Sequence, residues 1–523
     1  MAGVKTLSAP SVLSPALDFS AIRPRDRAFK LEDYQEITAD PGYANGQMIS
    51  FRIGRQSKYQ FFPKAYINLQ MAIWKNAQGT AWELTDSPIA MENNAPVFTT
   101  GNMRIGSNTI QNIGDMARTS LIWRFINMSH DMASWGSGDE LFYVDSGSGK
   151  ADIVAYNVSG TVVSSVDITA GTAIQLLSIT GGGATAGAPA LGVNLIGAGT
   201  GMSLTSNPNF NPGFIARRQR TAVVNADGVI TGYSATFSFN IPVDVLFPIL
   251  GEVPMILPPD SPEVELNFQV APPPIYLQSN ANPPTTNAPA NITPVVQWVG
   301  ARLFLPSFEP TNEQLEFFLT QTAGHVIFRN PCYAHDTKQI ATTTGGNALP
   351  ALSTNISVPN GSRISKLCLF FASPSNQVNY VNSPNLFYNC NITNVQLSIN
   401  GSNYPNIAYR PAFAPGAGGA VRDVERVYRA YSDVCKRSTT QGTQGLGAPV
   451  ISRQDFEYLH PMFWYSLDSR SEDTYTGNTT VAFAVNGTAP AGIDVSAYLY
   501  YEVENELRFE FRNSVLENVS VLI

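Results

Sequence analysis

The stretch Glu263-Val264-Glu265-Leu266-Asn267-Phe268-Gln269-Val270 decides the fold class. Four apolar side chains alternate with four polar ones, and a period of two sends the two sets to opposite faces of an extended strand. One face is dry and the other hydrated, which is the habit of an antiparallel sheet. Working outward, Ile67, Leu69, Met71 and Ile73 alternate with Asn68, Gln70 and Ala72 ahead of a turn at residues 76–79. Strand periodicity returns at residues 236–245 and 296–305, and in the second half at residues 364–372, 391–400, 479–485 and 495–511. Asn360-Gly361, Asn400-Gly401 and Asn486-Gly487 punctuate the later strands, and Asn-Gly readily takes the positive φ of tight hairpin turns.

Three segments break this pattern. Met116, Ile122, Phe125, Ile126 and Met132 recur near helical spacing and predict a helix over residues 115–135. A cap-like Thr311 or Asn312 followed by Leu315, Phe317, Phe318 and Leu319 predicts a short helix over residues 311–322. Val421, Val424, Val427, Tyr428 and Tyr431 form one stripe over residues 421–434, read as core packing. Residues 271–293 are rich in Pro and Asn and read as a loop without regular structure. Residues 136–213 are rich in Gly, Ser, Thr and Ala and read as a large loop with some strands.

At 523 residues the chain exceeds one ordinary domain. Two β-rich halves, each with an amphipathic helix in a long connection, give an all-β fold of two tandem β-sandwiches. The expected organisation is an N-terminal arm at 1–46, a first sandwich at 47–311 with the insertion at 136–213, and a second at 312–523 with a C-terminal tail. Composition agrees, because charged residues are only 14% of the chain, Gly and Pro number 41 and 36, and Asn and Thr are abundant on strand faces. A net charge of −8 disfavours general nucleic-acid binding. The arm runs against that sign, with Lys5, Arg23, Arg25, Arg27 and Lys30 facing only Asp18 and Asp26 over residues 1–30. The sequence contains neither a signal-like apolar opening nor a bilayer-length apolar run, so neither export nor membrane insertion is expected. Cys332, Cys368, Cys390 and Cys435 have spacings of neither a zinc site nor a disulfide framework and read as buried thiols.

The motifs assign no catalytic, cofactor or metal residue. Gly147-Ser148-Gly149-Lys150 lacks the opening glycine and the hydroxyl of a phosphate-binding loop, and Met202 stands where a dinucleotide turn after residues 197–201 needs glycine. His335 and Asp336 are adjacent, so on a strand they point to opposite faces. Glu502, Glu504 and Glu506, continued by Arg508, share one face of the last long strand. Such a series suits a catalytic carboxylate pair or a calcium site on one side, and a charged solvated face or a rim contacting a neighbouring subunit on the other, and the face or rim is the expectation. Ten Asn-x-Ser/Thr patterns fit the Asn-rich composition without implying glycosylation.

The order of elements from residue 237 onward resembles the double jelly-roll major capsid proteins of tailless double-stranded DNA viruses, closest to those of virophages, Polinton-like viruses and adintoviruses. The residues that carry it are Phe239-Asn240-Ile241-Pro242, Phe247-Pro248-Ile249-Leu250, the stretch 264–270, Ala301-Arg302-Leu303-Phe304-Leu305 and Asn312-Glu313-Gln314-Leu315-Glu316. The long strand at 497–511 and the short tail at 515–523 come after them. The insertion at 136–213 matches no motif of that family and falls where its members carry variable outward loops. The resemblance implies two upright jelly rolls, and a homotrimer that forms a pseudo-hexagonal capsomer of an icosahedral shell enclosing double-stranded DNA. The implied partners are neighbouring capsomers, penton and minor capsid proteins, and an internal membrane or packaged DNA met by the inward-facing arm, with no small-molecule substrate. The implied location is the virion, assembled inside the host cell and not secreted. Two other readings stand beside it. A carbohydrate-binding or adhesin-like β-protein would use loop Trp and Tyr but lacks the export signal, and a glycoside hydrolase would need two convergent carboxylates.

Overall fold

The computed structural model describes residues 29–521 apart from 41–46, 83–88, 129–137, 143–151, all but short strands and single residues of 157–235, 254, 280–291, 360–361, 379, 381–382, 414–422, 439–448 and 468–476. The first half contains β1 (Phe29–Thr38), β2 (Met48–Ile53), β3 (Tyr59–Phe61), β4 (Tyr66–Trp74), β5 (Ile89–Met91), β6 (Phe98–Ile105) and β7 (Asn108–Ile113). Within the Gly-rich insertion and just after it lie three small hairpins, β8 (Asp152–Tyr156) with β9 (Val162–Asp167), β10 (Ile179–Thr180) with β11 (Gly183–Ala184), and β12 (Ala222–Val224) with β13 (Ile230–Tyr233). Then come β14 (Thr236–Pro242), β15 (Ile256–Leu257), β16 (Val264–Val270), β17 (Leu277–Ser279) and β18 (Val295–Pro310). The second half contains β19 (His325–Thr343), β20 (Leu352–Val358), β21 (Ile364–Ala372), β22 (Asn394–Ile399), β23 (Ser402–Tyr409), β24 (Met462–Ser466), β25 (Gly477–Asn486), β26 (Val495–Arg512) and β27 (Val515–Val521).

These strands form two sandwiches, and no described strand pair crosses residue 311. In the first, a sheet ordered β14-β4-β18-β3-β15, with β1 added on β18, faces a sheet ordered β2-β16-β6-β7. In the second, β19-β26-β21-β24, with β27 added on β26, faces β20-β25-β22-β23. Every described strand pair is antiparallel. The alternating stretch 264–270 is β16, held between β2 and β6, with Val264, Leu266, Phe268 and Val270 buried. Phe268 stacks on Phe98 at 4.6 Å.

Three longer helices join the strands: α1 (Met116–Asn127), α2 (Asn312–Gln321) and α3 (Val424–Ser438). Helix α1 starts at Asp115, whose side chain accepts the Arg118 N–H as an N-cap, and stops before the extended Met128. It is shorter than residues 115–135 predict, and Met132, like Val421 of the α3 stripe, lies outside the described residues. A Cβ at Gly101 would overlap the Met116 methyl, so this glycine lets α1 lie against β6. No helix among the described residues is long and apolar enough to cross a membrane.

Four expectations need correction. The arm does not run to residue 46, because residues 29–38 are β1, paired along β18 from Phe29↔Pro310 to Thr38↔Arg302. Backbone pairing holds this strand more than apolar burial does, since Tyr34 is half exposed and Ile37 only partly buried, so its hydrophobic period is faint. Residues 271–293 are not all loop, because Pro273–Tyr276 is a helical turn and β17 pairs with β5. Proline at the first helical position costs no hydrogen bond, and there it starts a helix. The strand expected to reach residue 245 ends at Pro242, and Val243–Leu246 is helical. The C-terminal tail is a strand, β27.

The two cores are interlocked. The first includes Cys332 of β19, Leu507, Phe509 and Phe511 of β26, and Leu516 and Val519 of β27. The second includes Leu121, Ile122, Trp123, Phe125 and Ile126 of α1. Each half therefore supplies part of the other's interior. Burying five large side chains of α1 contributes on the order of 10 kcal/mol to the docking of the halves. Replacing Phe125, which is fully buried and whose carbonyl accepts the Tyr431 hydroxyl, tests this interlock. Phe125→Ala should cost about 3–5 kcal/mol and speed hydrogen exchange in α3, a second-half element, more than in β16, as read by mass spectrometry.

Candidate functional site: the polar seam between the sandwiches

The most concentrated chemistry among the described residues lies where the halves meet. Glu502 sits on the central strand β26, directly opposite His335 on β19 and Lys366 on β21. Cross-strand neighbours on one face approach closely enough to interact, so the register alone gathers these three side chains. The Lys366 ammonium donates to both carboxylate oxygens of Glu502, at 2.7 and 2.9 Å. From the first sandwich, the helical turn Ile249–Glu252 brings Glu252 to His335 Nε2 at 2.8 Å, and the other Glu252 oxygen accepts the Tyr333 N–H at 2.9 Å. His335 Nδ1 meets the Tyr500 hydroxyl at 2.8 Å, and Trp123 of α1 packs edge-on against the imidazole.

Glu502 and His335 are each 1% exposed. Burial pushes the Glu252 carboxyl above its usual range against the opposing pull of His335, and pushes the Cys332 thiol up to about 12. One ligand-type atom from each of Glu252, His335 and Glu502 lies within 4.8 Å of the others, a spacing compatible with a cation. The Lys366 ammonium already supplies a positive charge to Glu502, and both His335 ring nitrogens are engaged. The cluster is thus a charge-compensated clasp whose groups face one another.

Three further polar clusters lie at or beside the same seam. Arg118 of α1, 3% exposed, pairs with Asp115 at 2.6 Å and lies 4.0 Å over the Tyr498 ring of β26. Asp336 of β19 accepts the Gly114 N–H at 3.1 Å and the Tyr501 hydroxyl at 3.4 Å, and burial raises its carboxyl. Around Glu92, Ser383 donates at 2.7 Å, Gln278 donates through its amide, and Asn385 donates to the Asn93 carbonyl at 2.8 Å. Buried Arg217 donates to the Met91 carbonyl at 2.7 Å and to Gln278 at 3.2 Å. Near the C-terminal end of α1, Arg124 pairs with Glu140, and desolvation raises the Asp244 carboxyl to about 6 although Arg124 draws it down.

The predicted site residues fare unevenly. Lys5, Arg23, Arg25 and Arg27 lie outside the described residues, as do the glycine motifs at 147–150 and 197–201. Lys30 falls at the bulge of β1, where the register shifts between Phe29 and Leu31. Glu502 is not part of a solvated rim, because the first sandwich covers that face of β26. Glu504, Glu506 and Arg508 are half-buried, with Glu504 bonded to Arg363 at 2.7 Å and Glu506 to Arg508. The reading of His335 and Asp336 as opposed on their strand holds: the first serves the Glu502 clasp and the second the Gly114 loop. Glu252, Lys366 and Glu92 carry no motif that sequence reasoning could find. All four cysteines are buried, and the Cys435 thiol donates to the Phe125 carbonyl at 3.5 Å.

At the level of sequence, the chain matches no protein-family model and no curated protein. As a fold, it is similar to a chain in the cryo-EM structure of the Sputnik virophage, with a TM-score of 0.53 and 12% identity over 99% of this chain and 94% of that one. It is also similar to the mavirus major capsid protein, with a TM-score of 0.46 and 9% identity over 98% and 96% of the two chains. The chain has the double jelly-roll fold.

Removing one member of the clasp should be worse than removing two. Lys366→Met strands a buried carboxylate and should cost about 3–5 kcal/mol, whereas Lys366→Met with Glu502→Leu should recover most of that loss in guanidinium unfolding. Asp244 gives a pH signature. Its folded carboxyl titrates near 6 and its unfolded one near the usual ~3.9, so the folded state holds the extra proton between those values. The stability this confers is full below the unfolded value and is lost as pH rises through about 6. Melting curves of Asp244→Asn should therefore lose part of the wild-type decline between about pH 4 and pH 6.

Proposed function

We propose that this chain is a major capsid protein, the repeating structural subunit of an icosahedral virus shell around double-stranded DNA. The observation that carries the reading is the end-to-end likeness of its fold to a chain of the Sputnik virophage structure, which spans nearly all of both chains. A structural role also suits the chemistry of the seam, where buried charges are satisfied by one another.

Three copies would place six jelly rolls around one axis, and a near-hexagonal block of that kind tiles a closed surface with one gene product. Its partners are other copies in the trimer, neighbouring capsomers, and the penton and minor proteins that complete a shell. The half-exposed rim of Glu504, Glu506 and Arg508 contributes to contacts between subunits. The arm that carries Lys5, Arg23, Arg25, Arg27 and Lys30 lies on the inner side, and its start, around Lys5, reaches toward packaged DNA or an internal membrane. The protein resides in the virion and is assembled inside the host cell without secretion.

Light scattering and negative-stain microscopy of the purified chain test the reading. The expected particle is a trimer of 56.6 kDa subunits, about 170 kDa, with a six-lobed outline or assembled into larger sheets and shells. A stable monomer at all concentrations, retained on an immobilised glycan, would overturn it in favour of a lectin.

A further inference from the structure

Helix α2 gathers several exposed apolar side chains on one element. It has ten residues, and none is buried. Phe317 is 63% exposed, and Leu315 and Leu319 are also exposed. Only Phe318 is seated, edge-on to Tyr59 and Phe511. A helix this short is marginal by itself in water, and its stability normally comes from an apolar face packed on something. The C-terminal end of α2 is tied to the turn between β26 and β27, where Ser514 donates to the Leu319 carbonyl at 3.2 Å and to the Thr322 carbonyl at 3.0 Å. Exposed Val515 starts β27 beside it. Leu315, Glu316, Leu319, Thr320 and Ala323 together present an open, shallow face along the helix.

What lies within reach is set by the strand register. Phe29 pairs with Pro310, one residue before Thr311, the N-cap of α2. The chain preceding Phe29 is therefore delivered to the start of this helix. Residues 17–28 read Leu-Asp-Phe-Ser-Ala-Ile-Arg-Pro-Arg-Asp-Arg-Ala, with Leu17, Phe19 and Ile22 apolar and Arg23, Arg25 and Arg27 outnumbering Asp18 and Asp26. Helix α2 carries Glu313 and Glu316 and no basic residue. Extended, twelve residues span roughly 40 Å, against about 15 Å for the helix.

We propose that residues 17–28 dock in cis on α2, with Arg25 and Arg27 against Glu313 and Glu316 and with Ile22 and Phe19 over the exposed apolar side chains. Attachment at Phe29 makes the encounter intramolecular, at an effective concentration that a free partner or a second copy rarely matches. Only the part of the arm before residue 17 is then left to extend away. The proposal goes beyond the capsid reading and stands whether or not the chain assembles.

Hydrogen exchange of the α2 amides in the full-length chain tests it. Leu17→Ser, Phe19→Ser and Ile22→Ser combined should speed exchange across α2 by about tenfold or more while leaving β16 unchanged. Arg25→Glu with Arg27→Glu should do the same, and adding Glu313→Arg with Glu316→Arg should restore slow exchange. Because the arm variants leave the helix sequence untouched, their effect is separate from any loss of helix propensity. Equal exchange in wild type and arm variants would overturn the proposal. Protection that disappears on dilution would also overturn it, since that marks an arm or surface of a neighbouring copy as the occupant.

Discussion

Each sandwich is finished by the other, and that interlock is the constraint on which the rest of the structure depends. Strand β26 is long enough to serve both interiors, with Val495 to Val503 in the second core and Leu507 to Phe511 in the first. Helix α1 makes the reciprocal contribution. A domain that lends five large apolar side chains to its neighbour exposes them when the neighbour leaves, so separation costs far more than parting two flat, polar surfaces. The pair behaves as one body although its strands pair in two separate sets.

Burial of apolar area gives adhesion but little orientation, and the polar seam supplies what is missing. Glu502 meets Lys366 across one strand gap, with His335 Nδ1 3.8 Å away across the other, and His335 bonds Glu252 only when the first sandwich sits in one register against the second. Buried ion pairs are poor sources of net stability, because desolvation consumes most of the attraction. Misplacing them is costly, and this selects one arrangement from those that would bury similar apolar area. Arg118 between Asp115 and the Tyr498 ring acts in the same sense at the start of α1. The raised carboxyls of Asp244, Glu252 and Asp336 record the same burial.

Much of this architecture is legible in the sequence because most strands bury one face. The alternation in residues 263–270 and the tight turn at Asn400-Gly401, where both residues take positive φ, express local rules. The site is less legible for a definite reason. Ser496-Ala-Tyr-Leu-Tyr-Tyr501 packs against protein on both faces of β26, so it has no period, and Glu502 at its end looks like the first member of the charged series after it. Lys366 lies in a strand whose nine residues are all buried, where a charge signals a partner but does not name it. Glu252 joins from a four-residue helical turn, too short to leave a pattern. Partners this far apart in the chain, such as Glu252, His335 and Glu502, are brought together by topology, and no spacing rule connects them. The arm is overextended in the sequence reading because β1 is held by backbone pairing, which any side chain permits.

The interlock also bears on what the fold is suited to do. A binding cleft between two domains needs a hinge, with a seam that opens at small cost. Here the seam holds two cores, several buried charges and a helix buried at every residue from Met116 to Ile126 except Ala117, so opening it would expose all of them together. Rigidity of this kind suits the proposed shell subunit, which would have to keep its outline against identical neighbours. Freedom is then confined to the periphery of the described residues, in segments such as α2 that contribute least to either interior.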